Sequence, residues 1–384
     1  MSLRYPARWH DQSGVAMIMT LLVLLVFLTL GAGALLSSSM DLKAANSDQT
    51  GHQAFFVAEA GIQDALNRMN RIGVIDFQAD IVNRWGTVWG VSSTKAVPGY
   101  SSLQYSVQVV ATSSTAGTIT STGTGTSKSR RVIQMGLVKG PPGGSPGALY
   151  LASDNVTSKF VGNSFAIDGN DHKLDSSIVP GGNVMPGIST RNDGATTEVT
   201  GALSDAQKDN VKGSDFSLDP LRPSVKTTNG PGIADLNQMI TDLLAKPNVT
   251  WSGSSVNGGD TLGTVAVPHI THLTNPDVQV NGNASGAGIL IADGSVTING
   301  NFDFTGWIIV RGSTTINSTK QDDGTTVLGS AAILGSLWTG DFKIEVGGNA
   351  AIWYSGSAMQ LANGTAPGGA TPAPMVVTSW QEVY

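Results

Sequence analysis

The longest apolar run in the chain starts directly behind "DQSG". From Val15 to Met40 no residue is ionisable. A membrane-spanning helix needs ~20 such residues at a rise of about 1.5 Å each, so this run predicts a span. Asp41 to Ile72 follows without a proline, and its apolar residues recur at helical spacing. Phe55, Ile62 and Met69 stand seven apart, with Ala58, Ala65, Leu66 and Ile72 on the same side. The two halves read as one helix over 15–75, apolar over 15–40 and amphipathic over 41–72. Gly31, Gly33, Gly51 and Gly61 lie inside it. Each costs up to about 1 kcal/mol relative to alanine, which predicts a bend or local melting at one of them.

Beyond the helix the period changes to two. "LQYSVQVVA" (Leu103–Ala111), "GTITSTGTG" and "RRVIQMGLV" are rich in Thr and Val and predict strands. An antiparallel sheet over 76–139 would bury the Phe55–Ile62–Met69 stripe. Arg130 and Arg131 open the last of these strands and read as a solvated strand end. "GPPGGSPG" (140–147) interrupts every pattern and marks a boundary.

The remainder, 148–384, repeats itself. "VQVNGN" (Val278–Asn283) returns as "VTINGN" (Val296–Asn301) and in part as "TTIN" (Thr314–Asn317). "GILIADG" returns as "GWIIVRG", and each of these steps is 18 residues. Short β-runs between Gly/Asn turns at such a period predict a β-solenoid, in which each coil buries its apolar face only by stacking on the next. "STKQDDGTT" interrupts the spacing, which resumes with Ala332 and Ile352, 20 apart. Gly147–Asp171 reads as a coil placed earlier in the chain. The amphipathic segment near 232–246, ended by Pro247, is expected as a helical cap over one end. The fold class is therefore α+β: a long N-terminal helix, a small antiparallel sheet and a mostly β C-terminal solenoid.

Charge and composition narrow the function. Charged residues make up 13% of the chain, the formal net charge is -6, and there is no cysteine. No basic block neutralises phosphates, which argues against a nucleic-acid partner. Thiolate metal sites, disulfides and cysteine nucleophiles are excluded. Arg4 and Arg8 precede the apolar run against the single acid Asp11, so the N-terminal side is expected in the cytoplasm. A removable signal peptide has a shorter apolar region, of ~7–15 residues. Gly31–Ala34 nevertheless offers small residues at which such a peptide is cut, which keeps that reading as a rival.

The stretch from Gln12 to Leu66, with a polar leader ending in Gly14, an unbroken apolar-to-amphipathic helix, and Phe55, Phe56, Ala58, Glu59 and Ala60 in its second half, resembles the PilX-type minor type IV pilins. The resemblance implies cleavage between Gly14 and Val15 by a prepilin peptidase and N-methylation of Val15. It also implies a retained helix that packs with other pilins, with Phe55, Ile62 and Met69 as its packing residues. Residues 1–14 would be the leader. The subunit would sit in the inner membrane by one span with its C-terminal part in the periplasm, and then move to the pilus or cell surface. One feature departs from the family: Met19 stands where major pilins carry a glutamate five residues into the mature chain. An unpaired carboxylate in hydrocarbon is costly. Its replacement fits a tip or priming subunit, or a subfamily that lost the acid.

Candidate chemistry is sparse. His269 and His272 ("HITH") are three apart, but on a strand such residues point to opposite faces. "KQDDGTT" (Lys320–Thr326) and "DGND" (Asp168–Asp171) are oxygen-rich without the acidic spacing of a calcium loop and read as solvated turns. Asp293, Asp303 and Arg311 are the ionisable residues between Asp277 and Lys320. Asp293 and Arg311 occupy matching repeat positions and are expected to stack on adjacent coils. No cofactor, metal or catalytic residue is expected. The function expected is a structural minor pilin that primes, caps or decorates a type IV pilus or related pseudopilus. The rivals are a tip adhesin, for which Trp251, Trp307, Trp338, Trp353 and Trp380 are candidate platforms toward a glycan or surface, and a membrane-anchored β-helix enzyme acting on polysaccharide.

Overall fold

The computed structural model of the chain describes residues 13–81, 94–140, 145–228, 230–312 and 324–383. The expected leader up to Gln12, Trp85, Trp89, the centre of the Gly/Pro boundary, Thr314–Asn317 and Lys320–Asp323 lie outside the described residues.

The first element is a single helix, α1 (Ser13–Ile72), 60 residues and about 90 Å long. It is helical through all four internal glycines, so the expected melting does not occur. Packing explains two of them. A Cβ on Gly61 would lie 2.4 Å from Ser121 Oγ, and one on Gly51 would meet the Arg131 guanidinium at 3.2 Å. Their lack of a side chain lets the helix approach its sheet.

That sheet is antiparallel. It is built from β1 (Thr94–Val97), β2 (Tyr100–Ala111), β3 (Ala116–Thr124) and β4 (Arg130–Lys139), in chain order. The alternation in β3 and β4 sends Ile119, Ile133, Met135 and Leu137 inward against the helix residues Val57, Ile62, Leu66 and Met69. A fifth strand completes the sheet beside β4, and it is the C-terminal one, Met375–Val383. The sequence reading assigned these residues to the solenoid. Instead the chain leaves the sheet after β4, builds everything from Ser145 to Ala373, and returns.

Most strands of the inserted region are short and paired in parallel in two sheets, with a small antiparallel pair, Ser217–Leu218 and Leu221–Arg222, beside them. Registers follow the repeats: Val278 pairs with Val296 and Gly288 with Gly306, the 18-residue step read from sequence. Among the described residues, the rung after Val296–Asn301 is Thr325–Gly329. Thr297 pairs with Thr326 and Ile298 with Val327, past the insertion. Ala332 pairs with Ala351, so the step there is 19 rather than 20. Val278, Val280, Val296, Ile298, Val327, Ile344 and Val346 all face one continuous core, and each such fully buried side chain contributes roughly 1.5–3 kcal/mol.

A column of glycines runs across the paired strands. Gly288, Gly306 and Gly335 are stacked partners with φ of +114°, +138° and +138°. A Cβ on Gly306 would lie 2.0 Å from the Gly288 carbonyl oxygen. Only glycine meets both demands. The glycines of the "NGN" repeats, Gly282 and Gly300, continue through Gly329 and Gly348 as a second column, also at positive φ.

Stack order differs from chain order. The segment Leu149–Asp168 pairs with strands far later in the chain: Leu149–Leu151 with Leu337–Thr339, and Ala166–Asp168 with Ala351–Trp353. Ile188–Thr190 and Val225–Thr227 extend the sheet beyond it, while Asn248–Trp251 ends the sheet at the opposite side. The helix Ile233–Leu244 carries the chain between these levels. At its start Tyr150 Oη donates to the Pro231 carbonyl at 2.6 Å, and after its end Asn248 pairs with Ile270. Five rungs at about 4.8 Å separate the two strands, a distance that 12 helical residues and their flanks can cross. Leu236, Met239, Ile240 and Leu243 are buried along the way. The segment expected to cap one end therefore lies along the side.

Candidate functional site

The residues singled out for function fall on α1, whose two halves have opposite surroundings. From Val15 to Gln49 every side chain is exposed. The helix from Val15 is long and apolar enough to cross a membrane, with a mean hydropathy of 2.7 in its most apolar window. Three of its hydroxyls are satisfied locally. Thr20, Thr29 and Ser39 donate to the carbonyls of Met17, Val26 and Leu36 at 2.8, 2.9 and 2.9 Å, which removes the cost of bare hydroxyls in hydrocarbon. Gly14 is the second residue of the helix, and Val15 is 64% exposed. Met19, at the position where a glutamate was missed, is equally bare.

From Thr50 onward the helix is seated. Ala54, Ala58, Gly61 and Ala65 form its line of closest approach; a Cβ on Gly123 of β3 would lie 2.1 Å from the Ala54 carbonyl oxygen. Ile62 and Met69 are 1% and 0% exposed, so the chain's own sheet already covers them. This corrects their expected use as packing residues between subunits. Phe55 differs. It is half-buried at the rim and meets Trp380 of the C-terminal strand edge-on at 5.9 Å and Phe56 at 5.8 Å. Phe56 stays bare.

Charge pins the same seat. Asp64 Oδ1 accepts from Arg68 Nε at 2.9 Å, its Oδ2 accepts from Tyr105 Oη at 2.9 Å, and Lys95 stands 3.7 Å away. Partial burial opposes ionisation of Asp64, but these donors outweigh it and hold the carboxyl below its ordinary range. Burial and the same carboxylate push the Tyr105 phenol up to about 12. Arg131, expected as a solvated strand end, instead reaches Glu382 of the C-terminal strand at 3.2 Å. Ala54 and Asp64 went unread in the sequence, Ala58 and Ala65 were read only as part of the apolar stripe, and Gly61 only as a weak point of the helix. The spacing of Ala54, Ala58, Gly61 and Ala65 was the available signal.

The other candidates are structural in their surroundings. His272 Nε2 and Asp293 Oδ2 are 2.7 Å apart, and Arg311 reaches Asp293 at 3.3 Å; the stacking expected of Asp293 and Arg311 extends to His272 one rung further. In "DGND", Asp168 Oδ1 accepts from the backbone and side chain of Asn170. Asp171 Oδ1 accepts the Gly356 N–H at the start of the helix Gly356–Asn363. Among the described residues no three His, Cys, Asp or Glu side chains gather as a metal site. Trp307 and Trp338 are core residues in edge-to-face contact at 4.8 Å, Trp353 stacks on buried His172, and Trp251 is half-buried. Trp380 alone of the five is half-exposed.

A membrane-length helix thus continues without a break into the seat of an antiparallel sheet. The family model of the PilX N-terminal region matches residues 13–63, which lie entirely within α1. Over that segment the chain is PilX-like, in line with the minor type IV pilins, and it is a type IV pilus-related pilin. No curated protein matches the chain. Among solved structures it is similar to the competence-associated pilin ComZ from Thermus thermophilus, at 14% identity, over 87% of this chain and 97% of that one, with a TM-score of 0.23.

Proposed function

We propose that this chain is a structural minor pilin that primes, caps or decorates a type IV pilus or related pseudopilus. The carrying observation is the coincidence of the matched segment 13–63 with one 60-residue helix, bare over its apolar half and seated over the other. A helix that is apolar all round must be covered by lipid or by other helices. In this reading α1 does both in turn: it holds the subunit in the inner membrane and then packs among the helices of neighbouring pilins. Prepilin peptidase cuts between Gly14 and Val15, and Val15 is methylated. The seated half and its five-stranded sheet form the pilin head. The parallel strands with their 18- and 19-residue steps and glycine corners support reading the insertion as a β-solenoid, displayed on the periplasmic and then the extracellular side.

Mass spectrometry of the mature N-terminus, from cells with and without prepilin peptidase, tests the reading. A methylated Val15 that depends on the peptidase is expected. An intact Met1, or a cut near Gly31–Ala34, would remove the chain from the pilin pathway.

A further inference from the structure

The two ends of the coil stack are finished differently. Beyond Thr157–Val161, the last strand of its sheet, side chains take the places of a further strand. Glu198 accepts from the Ser158 N–H at 2.8 Å and from its hydroxyl at 2.9 Å, and Gln207 Nε2 donates to the carbonyls of Phe160 and Gly162 at 3.2 and 2.7 Å. The helix Asp193–Ala202, which carries Glu198, lies across this end. Such blocking keeps an edge from pairing with other chains.

The opposite end has no equivalent among the described residues. Its coil consists of Asn248–Trp251, Ser255–Val256 and Thr261–Leu262, each paired on its inner side alone. Val249, Val265 and Val267 stand 49%, 49% and 68% exposed around it. Asp260 is the one ionisable residue from Pro247 to Pro268, and its carboxylate accepts the Asn257 N–H at 2.7 Å. The end is thus nearly uncharged, with three exposed valines among neutral polar residues and a free strand edge.

We propose that two copies of this chain dimerise open end to open end. Head-to-tail stacking is opposed at the closed end, where Glu198 and Gln207 occupy the edge of Thr157–Val161 and the helix Asp193–Ala202 packs on the edge strand Val225–Thr227, with Thr227 Oγ1 donating to Asp193 Oδ1 at 2.6 Å, so self-association through the open end stops at two. Such an interface is isologous and must be complementary to itself. A two-fold axis through the middle of Asn248–Trp251 pairs that strand antiparallel with its copy. The same axis sets Ser255–Val256 of one protomer against Thr261–Leu262 of its partner, and these strands are equal in length. Near-neutrality serves the arrangement, since a charged end would repel its own copy, whereas a charged partner would find no counter-charge here.

The natural absence of cysteine makes the test direct. Thr250→Cys is placed on the exposed edge and Thr197→Cys on the closed-end helix of the full-length chain in detergent, and each is treated with a short bis-maleimide. Covalent dimer is expected as the main product for T250C and not for T197C, with wild-type chain sedimenting at twice the monomer mass. Val249→Lys, which leaves the buried side of the coil intact, is expected to return the chain to monomer with an unchanged melting temperature. A monomeric wild-type chain, equal cross-linking of both thiols, or a V249K dimer would overturn the proposal. So would a T250C thiol that cross-links only to a different pilin added in equal amount.

Discussion

The backbone N–H of Met375 donates to the Asn70 side-chain oxygen at 2.8 Å, tying the start of the last strand to the last turn of α1. Close by, Val74 and Ala373 exchange backbone hydrogen bonds at 2.8 and 3.0 Å. The pilin head is therefore not finished when the chain leaves β4 at Lys139. It is completed only when the chain returns, so head and coil stack are tied at two strands rather than one linker.

Truncation after Pro374 should leave β4 as a bare edge and uncover the inner side of the seat near Phe55. We expect a lower melting temperature for the head and fast hydrogen exchange across Arg130–Lys139, with exchange in the coil strands unchanged. Asn70→Ala, which loses one hydrogen bond, should cost about 1 kcal/mol by thermal or urea unfolding.

Gly306→Ala should be among the most damaging single changes in the coil stack. It combines a φ of +138° with a Cβ placed 2.0 Å from a backbone oxygen that cannot move without displacing the next coil. A loss of about 2–4 kcal/mol is expected. Gly99→Ala isolates the conformational part, because Gly99 also has positive φ, +84°, but open space around it. It should cost about 1 kcal/mol, and denaturation midpoints of the two variants check the ranking.

What was legible in the sequence was what is local or periodic. The apolar run, the seven-residue recurrence of Phe55, Ile62 and Met69, and the 18-residue step all reappear in the structure, because each is dictated by neighbours along the chain or by identical coils. The destination of Met375–Val383 was not legible. Its alternation announces a strand but carries no address, and its partner β4 lies more than two hundred residues earlier. The docking of Leu149–Leu151 on Leu337–Thr339 was hidden for the same reason. At the seat, the stripe picked out Ile62, Met69 and Ala58 but passed over Ala54, and Gly61 read as a weak point rather than for the backbone approach it permits. Single hydrogen-bonded pairs such as Asp64 with Tyr105 leave no pattern at all, since a single pair has no period.

The Asp64 network should give the head a pH dependence with a defined sign. The folded-state pKa of Asp64 is lowered, so its contribution is present above the ordinary carboxylate range and is lost as pH falls through the folded value. For Tyr105 the folded pKa is raised, so stability is retained up to pH 10 and lost as pH climbs toward 12. Asp64→Asn should flatten the acid limb and bring the phenol back toward its ordinary value. Tyrosinate absorbance against pH reads the second effect, and melting temperatures between pH 2 and 5 read the first.

Lys139 should act in the sense opposite to Tyr105, where the sheet meets the inserted strands. Its ammonium donates to the carbonyls of Ile75 and Gly368 at 2.9 and 3.1 Å, with Asp76, Asp80 and Lys246 nearby. Burial, aided by the Lys246 charge, pushes its pKa down to about 8 against the two carboxylates. Above pH 8 the folded chain has released this proton while the unfolded chain keeps it up to the ordinary lysine range near 10.5, so stability rises with pH across that window. The rise should be read below pH 10, before Tyr105 begins to oppose it. Lys139→Met should abolish the rise, and at pH 7 it trades the cost of a buried ammonium for two carbonyls left without their donor. Urea midpoints at pH 7, 8, 9 and 9.5 for both chains decide the matter: a wild-type slope that persists in K139M would place the titrating group elsewhere.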